Sequence, residues 1–243
     1  MHPISFVHVS TAYSNANLHE IGEKVYTTSL KPSEVIDMCD KFDKTAINQI
    51  EKRILKTYPN TYTFSKNLAE QIVASECKDL PVAIVRPSII GASLEEPCPG
   101  WLENISAITG IVLLVSKGCA TAILARKHAR LDVVPVDFVV DTIICTAWHV
   151  TLHRGHEVKV YNCTSNAIPF TMMKLLKNGH KLFTSVTYFT THEWTFQRDN
   201  CSDLARKVKM LNDSDMVKLD LRDMDWEKYV ATYLMGIRKF ILK

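Results

Sequence analysis

Two short apolar runs, Ile4 to Val9 and Leu80 to Val85, bracket a helix-forming stretch from about Tyr62 to Cys77. That order constrains the fold more than any other feature of the chain. Short runs of apolar, β-branched residues read as strands buried on both faces. Strand, helix and strand at this spacing form a βαβ unit, so the two strands lie parallel. Leu131 to Asp137 predicts another short strand that runs into a helix, Phe138 to His153 a buried helix, and Glu157 to Cys163 a further strand. Pro32-Ser33-Glu34 reads as a helix start and Ile47 to Leu55 as the end of a helical pair. Tyr58-Pro59-Asn60-Thr61 breaks that pair and caps the central helix. Residues 14 to 30 and 91 to 100 read as irregular. The expected class is α/β: a parallel sheet with flanking helices, followed by a small, mainly helical C-terminal domain. The boundary is expected at 168/169.

With 243 residues, 47% of them hydrophobic, the chain can bury a packed core. Its net charge of +3, with no block of like charges, excludes the strongly basic balance of a nucleic-acid binder. Seven scattered cysteines, odd in number and without a C-x-x-C, are the usage of a reducing compartment. The N-terminus lacks the basic flank and apolar stretch of a signal peptide. The apolar run Ile105 to Ala125 is interrupted by Ser106, Thr109, Gly110, Ser116, Lys117 and Gly118. It therefore falls short of the roughly 20 apolar residues that span a bilayer and reads as a buried or interfacial segment. The stripe Trp226, Tyr229, Val230, Tyr233, Leu234 and Ile237 could touch a membrane surface, but packing onto the main domain is the stronger expectation.

The chemistry centres on Tyr62 and Lys66, which share a helix face at i and i+4. A phenol is a reluctant acid or base near neutrality, and a neighbouring ammonium favours its ionised form. Such a tyrosine can hand a proton to a carbonyl oxygen as hydride reaches the carbon. Ser10 and Thr11, at the carboxyl end of the first strand, occupy the edge where α/β sheets bind ligands. Either hydroxyl could polarise the same carbonyl. The hydride must come from a cofactor, because no side chain can supply it.

Ser10-Thr11-Ala12-Tyr13, Tyr62-Thr63-Phe64-Ser65-Lys66 and Val85-Arg86-Pro87-Ser88-Ile89-Ile90-Gly91 occur in the order of the extended short-chain dehydrogenases. Gly100-Trp101, Val133 to Asp137, Tyr188 to Trp194, Asp223 to Trp226 and Gly236 to Lys239 narrow the likeness. The chain resembles the alcohol-forming fatty acyl-CoA reductases of animals, with their C-terminal sterile domain. The resemblance implies a Rossmann-type reductase that uses NADPH to take long-chain fatty acyl-CoA to a primary alcohol. It also implies a peroxisomal or endoplasmic reticulum location with peripheral membrane contact. By carry-over, Tyr62 is the proton donor, Lys66 its partner and ribose anchor, and Thr11, with Ser10 second, the polarising hydroxyl. Arg86, Pro87, Ser88 and Ile89 would form the turn against the nicotinamide. The segment 101–125 would line an acyl tunnel.

The chain departs from the family in two places. Its eight glycines include no G-x-G, so the family's phosphate loop is missing, and Met1 is expected to be internal to a longer reductase. The passage near Lys174 to Thr187 is shorter than the family's. A catalytically silent chain that binds acyl-CoA or a partner is therefore the alternative, with a sterol-type dehydrogenase behind it. Arg86 has its own simpler reading, an ion pair with a carboxylate at the strand end. His149, His153 and His156 suggest zinc by their spacing, but no H-E-x-x-H is formed, and no metal is expected.

Overall fold

A computed structural model describes residues 5–77, 79–105, 107–116, 130–153, 155, 157–165, 187–211 and 216–242. The end of the apolar run (117–125), His156 and the shortened passage at 174–186 lie outside them. The chain forms β1 (Phe6–Val9), a 3-10 turn (Ala12–Asn15), β2 (Glu20–Ile21), α1 (Pro32–Lys41), α2 (Lys44–Leu55) and α3 (Thr61–Glu76). It continues as β3 (Val82–Pro87), β4 (Ile89–Gly91), α4 (Ala107–Ser116), β5 (Val133–Pro135), α5 (Val136–Leu152) and β6 (Lys159–Cys163). The C-terminal stretch holds α6 (Thr187–Thr191), β7 (Thr195–Phe196), α7 (Asp199–Lys209), α8 (Trp226–Gly236) and a π-helical turn, Ile237–Ile241.

The expected βαβ unit is present. β1, β3 and β6 form one parallel sheet in the order β1-β3-β6, with Val9 opposite Val85 and Arg86 opposite Asn162. β3 is central and buried at every residue. β1 has one neighbour among the described residues, and Phe6 and Val9 are each 39% exposed, so the strand expected to be fully buried stands at an edge. Val7, Ala83, Val85, Tyr161 and Cys163 pack with Phe138, Val139 and Leu204, so α5 and α7 cover one face. Strand alternation turns Arg86 to the other face, which α3 covers.

β3 ends at Pro87, but the chain stays extended beyond it. It changes partner at Ser88, whose N–H still donates to Cys163, while the next N–H, of Ile89, donates to Asp132. β4 then runs parallel to β5. Residues 14 to 30 are likewise less irregular than their polar sequence suggests. β2 pairs in parallel with β7 from the C-terminal stretch, a two-residue pairing too short for hydrophobic periodicity to reveal.

Local chemistry explains the helix ends. Asn60 Oδ1 accepts from the Thr63 N–H at 2.9 Å and starts α3, Asp43 does the same for α2, and Asp225 caps α8. At the start of α5, Asp137 accepts from the N–H groups of Leu94, Glu95 and Glu96, fixing the turn after β4. The expected stripe on α8 packs inward: Tyr229, Tyr233 and Ile237 are buried against Ala92, Leu102, Ile108 and Val133. Leu234 departs from it at 40% exposure. Among the described residues no helix is long and apolar enough to cross a membrane.

α8 can approach this closely because two glycines meet. Gly100 holds a φ of +80°, and a Cβ built on Gly236 would stand 1.9 Å from the Gly100 carbonyl oxygen. Neither contacting atom belongs to a flexible side chain. Gly236→Ala should therefore force α8 away from the 92–102 turn and cost about 1–3 kcal/mol, the usual penalty of overpacking. A drop in the urea midpoint without change in the slope would record it.

His149 is buried on α5, with Nδ1 2.8 Å from the Tyr161 hydroxyl and Nε2 3.0 Å from Lys207 Nζ. An ammonium can only donate, so Nε2 accepts and Nδ1–H points to the tyrosine oxygen. Burial, then the charges of Lys159 and Lys207, push this histidine down to about 4. Below its ordinary value near 6.5 the unfolded chain takes up the proton first, so stability is complete above that pH and is lost as pH falls towards 4. His149→Gln should flatten the dependence of the urea midpoint on pH across that window.

Candidate active site

The carboxyl end of β1, the first two turns of α3 and the end of β3 converge on one charged group. Glu70, fully buried on α3, accepts from Arg86 Nε at 2.9 Å and Nη2 at 2.6 Å. The remaining donors of Arg86 reach the carbonyls of Gly22 (Nη1, 3.0 Å) and Lys24 (Nη2, 2.8 Å). Ser10 Oγ donates to the same Glu70 at 2.5 Å. Four of the five N–H groups of the guanidinium are thus engaged inside the protein, and the side chain forms the ion pair of the simpler reading made for Arg86.

One turn earlier on α3, Lys66 extends to the end of β1, and its ammonium donates to the Val9 carbonyl at 3.2 Å. Tyr62, a further turn towards the N-terminus, is 53% exposed. Thr11 is buried; its Oγ1 accepts from the Tyr13 N–H at 3.3 Å and makes a long 3.5 Å contact to the Pro87 carbonyl. Ser88 is buried with its Oγ unpartnered, and Ile89 is partly exposed at the start of β4. Ser10, Thr11, Lys66, Arg86, Pro87 and Ser88 are therefore brought to one sheet edge, with Tyr62 at its open side.

His8 lies beneath Lys66, with Nε2 buried and unpartnered. Burial, then the Lys66 charge, lowers its pKa, while Glu70 works in the opposite direction. Tyr13 is a core residue. Phe189, Trp194 and Phe196 surround its ring edge-on at 5.2 to 5.9 Å, and burial raises its phenol well above the ordinary value. Among the described residues no group of three His, Cys, Asp or Glu is placed to hold a metal ion.

The sequence reading missed the residues that fix this edge. Asn67, buried on α3, donates to Asn15 Oδ1 at 2.7 Å and to the Tyr26 carbonyl, and accepts from Gln71. Glu23 accepts from the N–H groups of Asn162, Asn200 and Cys201, joining the 22–24 loop to β6 and to the first turn of α7. Burial raises the Glu23 pKa, against those hydrogen bonds, which lower it. One signal was available: Glu70 continues the Tyr62, Lys66 series at i+8, on the same face.

Comparison with known proteins identifies the family and the fold. Residues 1–143 match the NAD-binding model of the male sterility proteins, and residues 158–243 match their sterile-domain model. β6 falls in the second stretch, so the three-stranded sheet draws on both. Fatty acyl-CoA reductase 2 of Mus musculus is 29% identical over 302 residues, covering 98% of this chain and 58% of the relative. Fatty acyl-CoA reductase 1 of Mus musculus is 30% identical over 300 residues, with the same coverage. The chain thus spans 58% of the length of these curated relatives. The alignments, 302 and 300 residues against a chain of 243, show that the relatives carry sequence absent between the matched parts.

Among solved structures, the reductase domain of a non-ribosomal peptide synthetase from Mycobacterium tuberculosis superposes with a TM-score of 0.57, at 16% identity, over 98% of this chain and 61% of that one. The terminal R domain of the myxalamid pathway gives 0.55, at 14% identity, over 97% and 58%. These likenesses give the fold: a Rossmann-type α/β sheet with a helical C-terminal region.

The buried pair supplies a stability test. Arg86→Met would leave the Glu70 carboxylate buried without its partner and should cost about 3–5 kcal/mol. A double-mutant cycle with Glu70→Gln, read by urea denaturation, should return a large coupling between the two sites.

Proposed function

The chain belongs to the male sterility protein family, and because its curated relatives there are fatty acyl-CoA reductases, we propose that it reduces long-chain fatty acyl-CoA with NADPH to a primary alcohol and free CoA. The observation that carries the reading is the placement of Lys66 on the Val9 carbonyl. It sets an ammonium at the carboxyl edge of the sheet, where ligands of this architecture bind, near the buried Thr11 and one helical turn after Tyr62.

The residues fit one end of a nicotinamide cofactor. Lys66 would hold its ribose hydroxyls, and the unpartnered Ser88 Oγ, with the backbone from Arg86 to Ile89, would meet its ring end. No G-x-G is present to cradle a pyrophosphate, so the described residues are assigned to the nicotinamide end alone. A bound cofactor would supply one hydride to the thioester carbon and, after CoA has left as its thiol, a second cofactor molecule would supply another to the resulting aldehyde. Tyr62, exposed at the mouth, gives its proton to the carbonyl oxygen, and Lys66 stabilises the phenolate left behind. Thr11 donates a hydrogen bond to the same oxygen as charge develops there. Ser10 is the weaker candidate for that task, because its single proton is already held by Glu70.

Tyr62→Phe should lower NADPH oxidation with long-chain acyl-CoA by about 10²–10⁴-fold, and Thr11→Val by about 10²–10³-fold, each with little change in melting temperature. Ser10→Ala should act chiefly on stability. Near wild-type turnover in Tyr62→Phe would sink the assignment of the proton donor. The alternative, a chain that binds acyl-CoA without turning it over, is favoured by the absent G-x-G. Tight, saturable NADPH binding by this chain would exclude it.

A further inference from the structure

A cleft of about 560 Å³ runs between α7 and the 217–223 segment and shares no lining residue with the site just described. Five cations line it, Arg198, Arg206, Lys209, Lys218 and Arg222, against two carboxylates, Asp220 and Asp223. Three of those cations are already answered: Arg206 by Asp203, Lys218 by Glu95 and Arg222 by Asp220. Among the described residues Arg198 makes no ion pair, although its charge acts at longer range on Asp220, which Arg222 already holds, and Lys209 makes none. Neither side chain makes a hydrogen bond there, and Arg198 Nε is a buried donor without a partner. A buried, unpaired guanidinium nitrogen is costly unless something accepts from it.

The helix terminus does not account for this charge. The first N–H groups of α7, on Asn200 and Cys201, are taken by Glu23 at 2.5 and 3.3 Å, so any anion would be drawn by the side chains. The neighbouring cleft of about 500 Å³ has the opposite balance. Glu95, Asp220, Asp223 and Asp225 there face only Lys218 and Lys228.

We propose that the cationic cleft binds the phosphorylated nucleotide end of CoA, its 3′-phosphate and diphosphate. The inference rests on the acyl-CoA reading above and names where that substrate is held. Position supports it. Arg198 lies two residues beyond Phe196, whose ring packs edge-on against Tyr13 at 5.9 Å, and Tyr13 lies two residues beyond Thr11. The Arg198 charge also acts on the Cys163 thiol, at the carboxyl end of β6 and opposite Pro87, so the Arg198 end of the cleft lies towards the carboxyl edge of the sheet. That layout suits a substrate whose reactive thioester and charged nucleotide are joined by a flexible arm. A volume of about 560 Å³ falls within the range of small-ligand sites.

Calorimetric titration of the 243-residue chain with free CoA tests this without requiring turnover. CoA should bind, and dephospho-CoA should bind about tenfold more weakly, the loss of one charge-assisted hydrogen bond. The Arg198→Gln, Lys209→Gln double variant should weaken CoA at least about tenfold, with the difference shrinking as salt screens it. Its melting temperature and its response to NADPH should match the wild type. Neither NADPH nor vesicles containing an anionic phospholipid should displace CoA. Equal affinity for CoA and dephospho-CoA, undiminished CoA binding by the variant, displacement by either competitor, or no CoA binding by the wild type would each overturn the proposal. Failure of the reductase reading looks different: CoA binds through the cleft, yet long-chain acyl-CoA is not reduced.

Discussion

The Glu70–Arg86 pair is the interaction on which the rest of the site depends. Taking two charges out of water costs several kcal/mol each, and their attraction offsets this only when geometry is good and the remaining donors are satisfied. The geometry is good and the donors are nearly all used: two nitrogens of the guanidinium meet the two carboxylate oxygens, two more N–H groups go to Gly22 and Lys24, and Glu70 also accepts from Ser10. Such a pair contributes little net stability over apolar residues of similar volume, but it permits few alternatives. α3 cannot slide along β3, and the 22–24 loop cannot lift, without leaving a buried charge unpaired.

Two consequences reach the chemistry. Glu70 engages the Ser10 hydroxyl, so of two adjacent hydroxyls only Thr11 keeps a loosely held proton, its contact to Pro87 being 3.5 Å long. Fixing α3 also fixes Lys66 over the end of β1 and leaves Tyr62 at the rim. The same loop carries the order onward. Glu23, one residue after Gly22, holds the first turn of α7 and the N–H of Asn162, so the C-terminal stretch is hydrogen-bonded to the loop that Arg86 pins. Charge at the sheet edge thus positions both Lys66, with the groups proposed to act beside it, and the helix that borders the cationic cleft.

Much of the architecture was legible from residue order. β1, α3, β3, α5 and β6 each announced themselves by apolar runs or by capping chemistry such as Asn60, because those signals are local and repeat within a few residues. The switch of partner at Ser88 and the pairing of β2 with β7 were not, since each depends on a backbone hydrogen bond to a segment far along the chain. At the site, Tyr62, Lys66, Ser10 and Thr11 were candidates through the order of their motifs and the family resemblance, since a Tyr-x-x-x-Lys spacing alone is common. That Ser10 is committed and Thr11 is not could not be read, because the deciding atom belongs to Glu70, 60 residues away from Ser10.

The sequence by itself determined the parallel α/β class, the helix carrying tyrosine and lysine on one face, and the family. Those follow from periodicity, from i,i+4 geometry and from the order of motifs. Only the tertiary structure decided that Arg86 is an internal counter-ion, that Asn67 and Glu23 organise a segment that reads as loop, and that α8 closes onto Gly100. Each is a question of burial and of which distant group satisfies a charge, a donor or a close contact. The free energy of those choices lies in contacts between segments, which no local pattern records.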